Sequence, residues 1–263
     1  MNVYIKTILL ILILLFWILN FEIPDTFAYK STNTNKIPTL QKFPNFLSNF
    51  ECKYLTKKLI NHNENIRGVG LGIGFENLNG FTVIFKNKEE AKNLFIDKFK
   101  LPLVWNIFNK VVLPESNAFV INTLIINKSI DNSIDLHYDN TIEVETGIFN
   151  RELLAHNINI IYINVPNDIL GGEFVAHKKG ISTLHEITKP FGLSNFMPLP
   201  EPVIEQKPIN GTFIKVRGDL LHKVNPFFSN TNEPRISLVI EEYKCSKKEL
   251  EQVDEIIVRS KNY

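Results

Sequence analysis

RISLVIEEY, residues 235–243, belongs to a set of short runs that are rich in β-branched and aromatic residues. The other runs are AFVINTLIIN (118–127), HNINIIYINV (156–165), GEFVAH (172–177) and GTFIKVR (211–217). Clusters of Asn, Asp, Gly and Pro separate them, and this composition is typical of the strands of an all-β sandwich or barrel. The sequence therefore predicts a mainly β module over residues 115–244.

The segment before this module carries helix signals. Ser48 and Glu51 have the spacing of a capping box, in which each side chain bonds the backbone N–H of the other residue. Asn87 and Glu90 stand at the same spacing before a second helical pattern. We therefore predict that residues 40–114 form an α/β extension of the module.

The chain after the module repeats the capping signal with Ser246 and Glu249. An apolar stripe at helical intervals follows, formed by Leu250, Val253 and Ile257. We therefore predict that residues 245–263 form a C-terminal helix.

An uncharged apolar run, TILLILILLFWIL, follows Lys6 near the N-terminus. The run is shorter than the roughly 20 residues that span a bilayer, which favours a secretory signal peptide. Residues 3–23 are mostly apolar, however, and could also hold the chain in a membrane. We therefore expect residues 1–28 to be a signal peptide or a membrane anchor, residues 29–39 to be a linker, and the protein to be membrane-associated or in the secretory pathway.

Length and charge narrow the classes of function. The chain has 263 residues and a formal net charge of +1, with 44% hydrophobic and 22% charged residues. A near-neutral chain gives no electrostatic reason to expect a nucleic-acid partner. These shares also exclude a disordered chain and a polytopic membrane protein. Cys52 and Cys245 can form one disulfide at most.

A metal-binding pattern lies inside the β-rich module. His137 and Asp139 are two residues apart, and side chains at that spacing point to the same face of a strand. An imidazole and a carboxylate on one face can reach one ion. His62 and Glu64 have the same spacing, but they follow a predicted helix and are not expected to form a site.

A third ligand must come from elsewhere in the chain, and three candidates follow His137: His177, His185 and His222. His222 is favoured because Arg235 and Ser237 come thirteen and fifteen residues after it, at the start of a predicted strand. Two histidines and one carboxylate that leave the opposite side of an ion open are typical of non-haem Fe(II) oxygenases. The planar arginine fork suits the far carboxylate of a 2-oxo acid bound at the open side.

In this ordered set of motifs the sequence resembles the iron- and 2-oxoglutarate-dependent dioxygenases of the prolyl-4-hydroxylase type. The resemblance covers about residues 115–243 and rests on LHYDN, YINVPNDILGGEF, RGDLLHKVNPF and RISLVIEEY. It implies a double-stranded β-helix, or jelly roll. It also implies that the iron ligands are His137, Asp139 and His222, and that 2-oxoglutarate contacts Arg235, Ser237 and Tyr162.

The same resemblance implies a hydroxylase that couples oxidation of an unknown peptide or small molecule to the conversion of 2-oxoglutarate and O2 into succinate and CO2. Fe(II) would be the cofactor, with ascorbate as a reductant. The sequence departs from the family in two places. Asn127 stands where members often carry a tyrosine, and the loop FFSNTNEP lengthens the gap between His222 and Arg235.

Two other functions suit the same residues. One is a non-catalytic jelly-roll module, membrane-tethered or exported, that binds a carbohydrate or a peptide. The other is a zinc enzyme with the same three ligands. A jelly-roll fold alone does not distinguish these two functions from that of an oxygenase. The combination of His222 with Arg235 favours the oxygenase, because neither alternative needs an arginine beside a metal triad.

Overall fold

The structure is a computed structural model, and it describes residues 39–68, 78–127, 134–145, 150–177 and 202–262. Within these ranges the helices are α1 (Asn49–Ile60), α2 (Lys88–Asn93), α3 (Pro102–Val111) and α4 (Lys247–Gln252), and the π-helical segment Leu94–Lys98 continues α2. The strands are β1 (Leu40–Phe43), β2 (Ile66–Arg67), β3 (Leu78–Phe85), β4 (Ala118–Ile126), β5 (Ile134–His137), β6 (Ile142–Glu145), β7 (Asn150–Leu153), β8 (Asn157–Asn164), β9 (Leu170–Gly171), β10 (Phe174–His177), β11 (Ile204–Gln206), β12 (Phe213–Arg217), β13 (Leu221–Val224), β14 (Phe227–Phe228), β15 (Arg235–Tyr243) and β16 (Ile256–Arg259).

Some predictions fall outside these ranges. The signal peptide or anchor, nearly all of the linker and His185 lie there, and those assignments stay predictions. Among the described residues, no helix combines the length and apolar character needed to cross a membrane.

Two antiparallel sheets form the body of the protein. The large sheet has the order β1-β12-β8-β15-β4-β3-β16, with β2 added beside β3, and the small sheet has the order β11-β10-β13-β5. From β4 onwards the chain alternates between the two sheets. Strands β4, β8, β12 and β15 belong to the large sheet, and β5, β10, β11 and β13 belong to the small sheet. Residues of both sheets line one shared pocket, so the sheets face each other. The predicted fold class, mainly β with a jelly roll, is confirmed.

The large sheet is buried on both faces. Phe119 and Ile121 of β4 lie on the outer face, where they share a hydrophobic core with Leu55 of α1 and Phe108 of α3. Successive side chains of a strand point to opposite faces of the sheet. Leu124 of β4 therefore points to the inner face, where it lines the pocket between the sheets. The helices therefore shield one face of the sheet and leave the other for a site.

The predicted capping signals form as expected. The Ser48 side chain accepts a bond from the N–H of Glu51, whose carboxylate accepts from Ser48 N in return, and α1 begins at the next residue. Asn87 Oδ1 accepts from the N–H groups of Glu89 and Glu90 at the start of α2.

The C-terminal segment differs from its prediction. Ser246 does cap a helix, but α4 ends at Gln252. After it, β16 pairs antiparallel with β3, with Ile257 opposite Ile84. The apolar spacing that predicted one helix over 245–263 thus combines residues of a short helix and a strand, because pairing with a distant strand overrides the local pattern. The same strand β3, from the predicted α/β extension, also pairs with β4 of the β-rich module.

Both cysteines are free and buried. Burial raises the pKa of the Cys52 thiol, and it raises that of Cys245 to about 12. Because the thiolate is the reactive form, neither residue fits the role of a nucleophile.

A buried polar network holds the outer face of β15. Glu242 Oε2 accepts hydrogen bonds from Leu113 N at 2.6 Å and from Ser116 Oγ at 2.5 Å. Its other oxygen accepts from the side-chain amides of Asn157 and Asn159. Four donors around one carboxylate require an acceptor at both oxygens.

We expect Glu242→Gln to lower the free energy of unfolding by about 2–4 kcal/mol, because the new amide group would face two donors in either orientation. Urea denaturation measures the loss. Glu251→Gln, on the exposed side of α4, is the matched control and should change stability by less than about 0.5 kcal/mol. Equal midpoints for the wild type and Glu242→Gln would contradict the role given to this network.

Candidate metal centre

Two histidines meet across the small sheet. His137 of β5 and His222 of β13 are direct register partners in an antiparallel pair. Their ring centroids are 4.4 Å apart. Cross-strand partners carry their side chains on the same face, so residues 85 positions apart in the chain share one side of the sheet.

The carboxylate reaches the same point from a loop. The i, i+2 spacing predicted that Asp139 lies on the same strand as His137, but β5 ends at His137. Asp139 lies two residues beyond that end, and Ala155 N donates to its carbonyl oxygen at 2.9 Å. The three side chains nevertheless converge, and one ligand atom from each of His137, Asp139 and His222 lies within 4.8 Å of the others.

Backbone carbonyls fix which imidazole nitrogen carries the proton. His137 Nδ1 lies 2.6 Å from the carbonyl oxygen of Asp135, and His222 Nδ1 lies 2.9 Å from that of Leu220. A carbonyl can only accept, so each Nδ1 is the donor. In a neutral ring each Nε2 then carries the lone pair, which is the form that ligates a metal.

The possible ligand atoms of the three residues face one another. His137 Nε2 lies 3.4 Å from one carboxylate oxygen of Asp139, and His222 Nε2 lies 3.6 Å from the other. Burial, together with the neighbouring His137, lowers the pKa of His222 to about 4, so its ring is neutral at pH 7. Among the described residues, Asp139 Oδ2 is buried without a hydrogen-bond partner. A cation between the three groups would satisfy all of them, and the donor set suits Fe(II) or Zn(II).

Buried donors from the large sheet line the same pocket. Ser237 of β15 is the register partner of Tyr162 of β8, and Arg235 lies two residues away on the same face. The Arg235 guanidinium carbon is 5.5 Å from the centre of the Tyr162 ring. Arg235 is only 2% exposed, and its Nε and Nη1 find no hydrogen-bond partner in the described ranges.

The hydroxyls of Tyr162 and Ser237 are likewise buried, with no hydrogen-bond partner in the part of the chain that is described. Burial raises the pKa of Tyr162 to about 12, so its phenol keeps its proton and remains a donor. A buried guanidinium with two nitrogens that have no partner among the described residues, beside two buried hydroxyls, is a donor set that an anionic ligand would complete.

Apart from Asn122, the rest of the pocket lining is apolar. Its wall includes Leu124, Ile126, Ile158, Ile160, Phe174 and Val224. Such a wall excludes water from the space between the triad and the guanidinium, and electrostatic attraction is stronger there than at the surface.

The other candidate histidines lie elsewhere. His177 of β10 is paired with Leu221, whereas its neighbour Ala176 is paired with His222. His177 therefore points to the opposite face of the small sheet from His222. His62 Nδ1 accepts from Glu64 N, and its Nε2 lies 2.9 Å from the carbonyl oxygen of Phe99, so both nitrogens serve the fold.

Sequence reasoning missed one acidic residue near this site. Glu241 of β15 is 1% exposed, and its carboxylate accepts hydrogen bonds from Asn122, Thr141 and Tyr243. Burial, reinforced by the charge of Asp139, raises the pKa of Glu241 to about 8. A charged residue at an inward position of a buried strand was the signal in the sequence that pointed to it.

We expect the metal-free protein to lose stability through Glu241 as the pH rises. The unfolded chain ionises near the usual pKa of 4.5, while the folded protein keeps the proton until about pH 8. The contribution of Glu241 to the free energy of unfolding is therefore fully present below pH 4.5 and is lost as the pH rises from 4.5 to about 8. Glu241→Gln should match the wild type at pH 4 and exceed it at pH 8 by at most about 5 kcal/mol.

Urea denaturation of both proteins with a chelator present measures this difference. Titrating groups that do not interact with Glu241 cancel because they occur in both proteins. A constant difference from pH 4 to pH 9 would contradict the shifted pKa.

The likeness of the chain to known proteins is distant and is one of structure only. No family model and no curated protein matches the sequence. Solved structures that resemble the chain include an oxidoreductase of the 2OG-Fe(II) oxygenase family from Burkholderia pseudomallei, 15% identical, with 82% of this chain and 90% of that chain covered and a TM-score of 0.43. A prolyl-4-hydroxylase from Pseudomonas putida is 12% identical, with coverages of 82% and 99% and a TM-score of 0.44.

A prolyl hydroxylase from Trichoplax adhaerens, solved with a peptide fragment of the hypoxia inducible factor oxygen degradation domain, is 13% identical. The coverages are 83% and 89%, and the TM-score is 0.44. Because these identities and TM-scores are low, the similar structures carry no argument about function, and the proposed function rests on the side chains of this chain.

Proposed function

We propose that the protein is an Fe(II)- and 2-oxoglutarate-dependent dioxygenase that hydroxylates an organic substrate. One observation carries the proposal: the imidazoles of His137 and His222 and the buried carboxylate of Asp139 converge with their ligand atoms close together, in a pocket that also holds a buried arginine. The three ligand groups suit a divalent cation, and the buried arginine suits an anion.

The residues of this chain would divide the work in three ways. His137, Asp139 and His222 would hold the ion from one side and leave the other side open. Arg235 would pair with the far carboxylate of 2-oxoglutarate. When bound, Fe(II) would supply the redox chemistry by which O2 converts 2-oxoglutarate to succinate and CO2 and oxidises a C–H bond of the substrate.

The hydroxyl groups and the apolar wall would complete the co-substrate site. Tyr162 and Ser237 would each donate a hydrogen bond to an oxygen of the bound anion, since both hydroxyls are buried beside Arg235. The hydrocarbon wall would keep water away from the reacting atoms. The identity of the substrate, the use of ascorbate and an association with membranes through residues 3–23 stay predictions from the sequence.

Anaerobic titration tests the proposal directly. Fe(II) and 2-oxoglutarate added to the metal-free protein should produce a weak visible charge-transfer band, while Fe(II) with succinate, which has no keto oxygen, should not. Admission of air should then form succinate from 2-oxoglutarate. A folded protein that shows neither the band nor succinate is not this enzyme. Binding of Zn(II) without any response to 2-oxoglutarate would favour a zinc protein instead.

A further inference from the structure

The loop that carries Asp139 has no strand pairing of its own. It runs from the end of β5 at His137 to the start of β6 at Ile142. The position of the Asp139 carboxylate must therefore be set by contacts of the loop with its surroundings. The loop is held by the bond from Ala155 N to the carbonyl of Asp139, by a bond from the Asn140 side-chain amide to Glu152, and by two bonds that join Thr141 to the large sheet.

Thr141 is held by two residues at the end of β15. Its backbone N–H donates to the Tyr243 hydroxyl at 3.1 Å, and its side-chain hydroxyl donates to Glu241 Oε1 at 3.2 Å. The Tyr243 hydroxyl in turn donates to Glu241 Oε2 at 2.5 Å. One tyrosine and one carboxyl group thus bind the backbone N–H and the side-chain hydroxyl of Thr141.

Hydrogen bonds within the large sheet hold Glu241, and through it Tyr243, in place. Asn122 Nδ2 on β4 donates to Glu241 Oε1 at 2.8 Å, and Thr82 Oγ1 on β3 donates to Asn122 Oδ1 at 2.6 Å. Glu241 and Tyr243 are each 1% exposed. A chain of side chains therefore links three adjacent strands of the large sheet to the loop that bears the acidic ligand.

We propose that Tyr243 and Glu241 are positioning residues that hold Asp139 where its carboxylate faces the two imidazoles. The inference rests on the proposed metal site, and it adds residues that touch neither metal nor co-substrate. The histidines need no such support because cross-strand pairing already fixes them. Asp139 lacks that pairing, and metal–ligand distances tolerate only about 0.2 Å of error.

Removal of one hydroxyl should loosen the loop. In Tyr243→Phe the Thr141 amide loses its acceptor while the ring keeps its packing. We expect faster hydrogen exchange at the Thr141 amide in the metal-free protein. We also expect Co(II) to bind about 10- to 100-fold more weakly by calorimetry, as is typical when support of a metal ligand is lost.

Tyr54→Phe is the matched control, because it removes a tyrosine hydroxyl from α1, which packs on the other face of the large sheet, without touching the loop. It should leave the affinity for Co(II) alone and the exchange at Thr141 unchanged. If Tyr243→Phe does not fold, Thr141→Val, which removes only the bond to Glu241, tests the same point. Its Co(II) affinity should also fall.

Each outcome has a separate meaning. Weaker Co(II) binding with faster Thr141 exchange supports the positioning role. Wild-type affinity in a folded Tyr243→Phe protein overturns it, even if exchange at Thr141 rises, because the contact would then hold the loop without placing the ligand. A wild-type protein that binds no divalent metal at all overturns the proposed function instead.

Discussion

His222→Ala is expected to abolish both stable Fe(II) binding and succinate formation. The substitution removes one of three ligands, and loss of mere support around a ligand already costs about 10- to 100-fold in affinity or activity. We therefore expect Fe(II) to bind at least about 100-fold more weakly. Calorimetry with Fe(II) under anaerobic conditions, followed by a succinate assay in air, measures both effects.

His177→Ala is the control for this experiment. It removes a buried histidine from the neighbouring strand, but that side chain points to the opposite face of the small sheet. Its Fe(II) affinity should equal that of the wild type. If His222→Ala bound Fe(II) normally, or if both variants lost it equally, the assignment of His222 as a ligand would be wrong.

Arg235→Gln should separate co-substrate binding from metal binding. The buried guanidinium is the cation available to the far carboxylate, and a buried hydrogen-bonded charge pair that loses one partner costs about 2–5 kcal/mol. We expect 2-oxoglutarate to bind at least about 30-fold more weakly, with Fe(II) affinity unchanged. Titration of the visible charge-transfer band with 2-oxoglutarate measures the change.

A second ligand sharpens this test. 2-Oxobutyrate has the same keto acid but no far carboxylate, so its affinity should be nearly the same in both proteins. Arg259→Gln, at an exposed arginine of β16, is the control and should bind 2-oxoglutarate normally. An equal loss for both ligands would indicate that Arg235 supports the pocket in general rather than the far carboxylate.

The same variant should show a trade-off between stability and function. Without a ligand, the Arg235 charge is buried and two of its nitrogens have no partner in the described residues. Removal of such a charge is often neutral or stabilising. The ligand-free Arg235→Gln protein should therefore melt at or above the wild-type temperature, while losing the stabilisation that 2-oxoglutarate gives the wild type.

Local signals in the sequence predicted much of the fold. The alternation of β-branched residues located β4, β8 and β15, and Ser48 with Glu51 located the start of α1. Such features depend on residues a few positions apart, so a single sequence contains them. The end of the chain was misjudged because β16 forms by pairing with β3, about 170 residues earlier.

The site residues, like the fold, were predictable where the signal was local and unpredictable where it depended on distant parts of the chain. Chemistry selected His137, Asp139, His222 and Arg235, since few residue types bind iron or a dicarboxylate. The geometry was less predictable. The opposition of His137 to His222 depends on strand register, and the placement of Asp139 depends on Tyr243, about 100 residues later. The spacing of His137 and Asp139 in the sequence predicts neither of these two features.

The last strand of the chain has a practical consequence. Residues 256–259 of β16 cover the backbone of β3, a strand whose residues are almost all buried. A protein shortened to end before Ile256 would leave that row of N–H and C=O groups open to pair with another molecule, which is a known route to aggregation. Recombinant versions should therefore include residues 256–259, and a purification tag placed after them needs a flexible spacer.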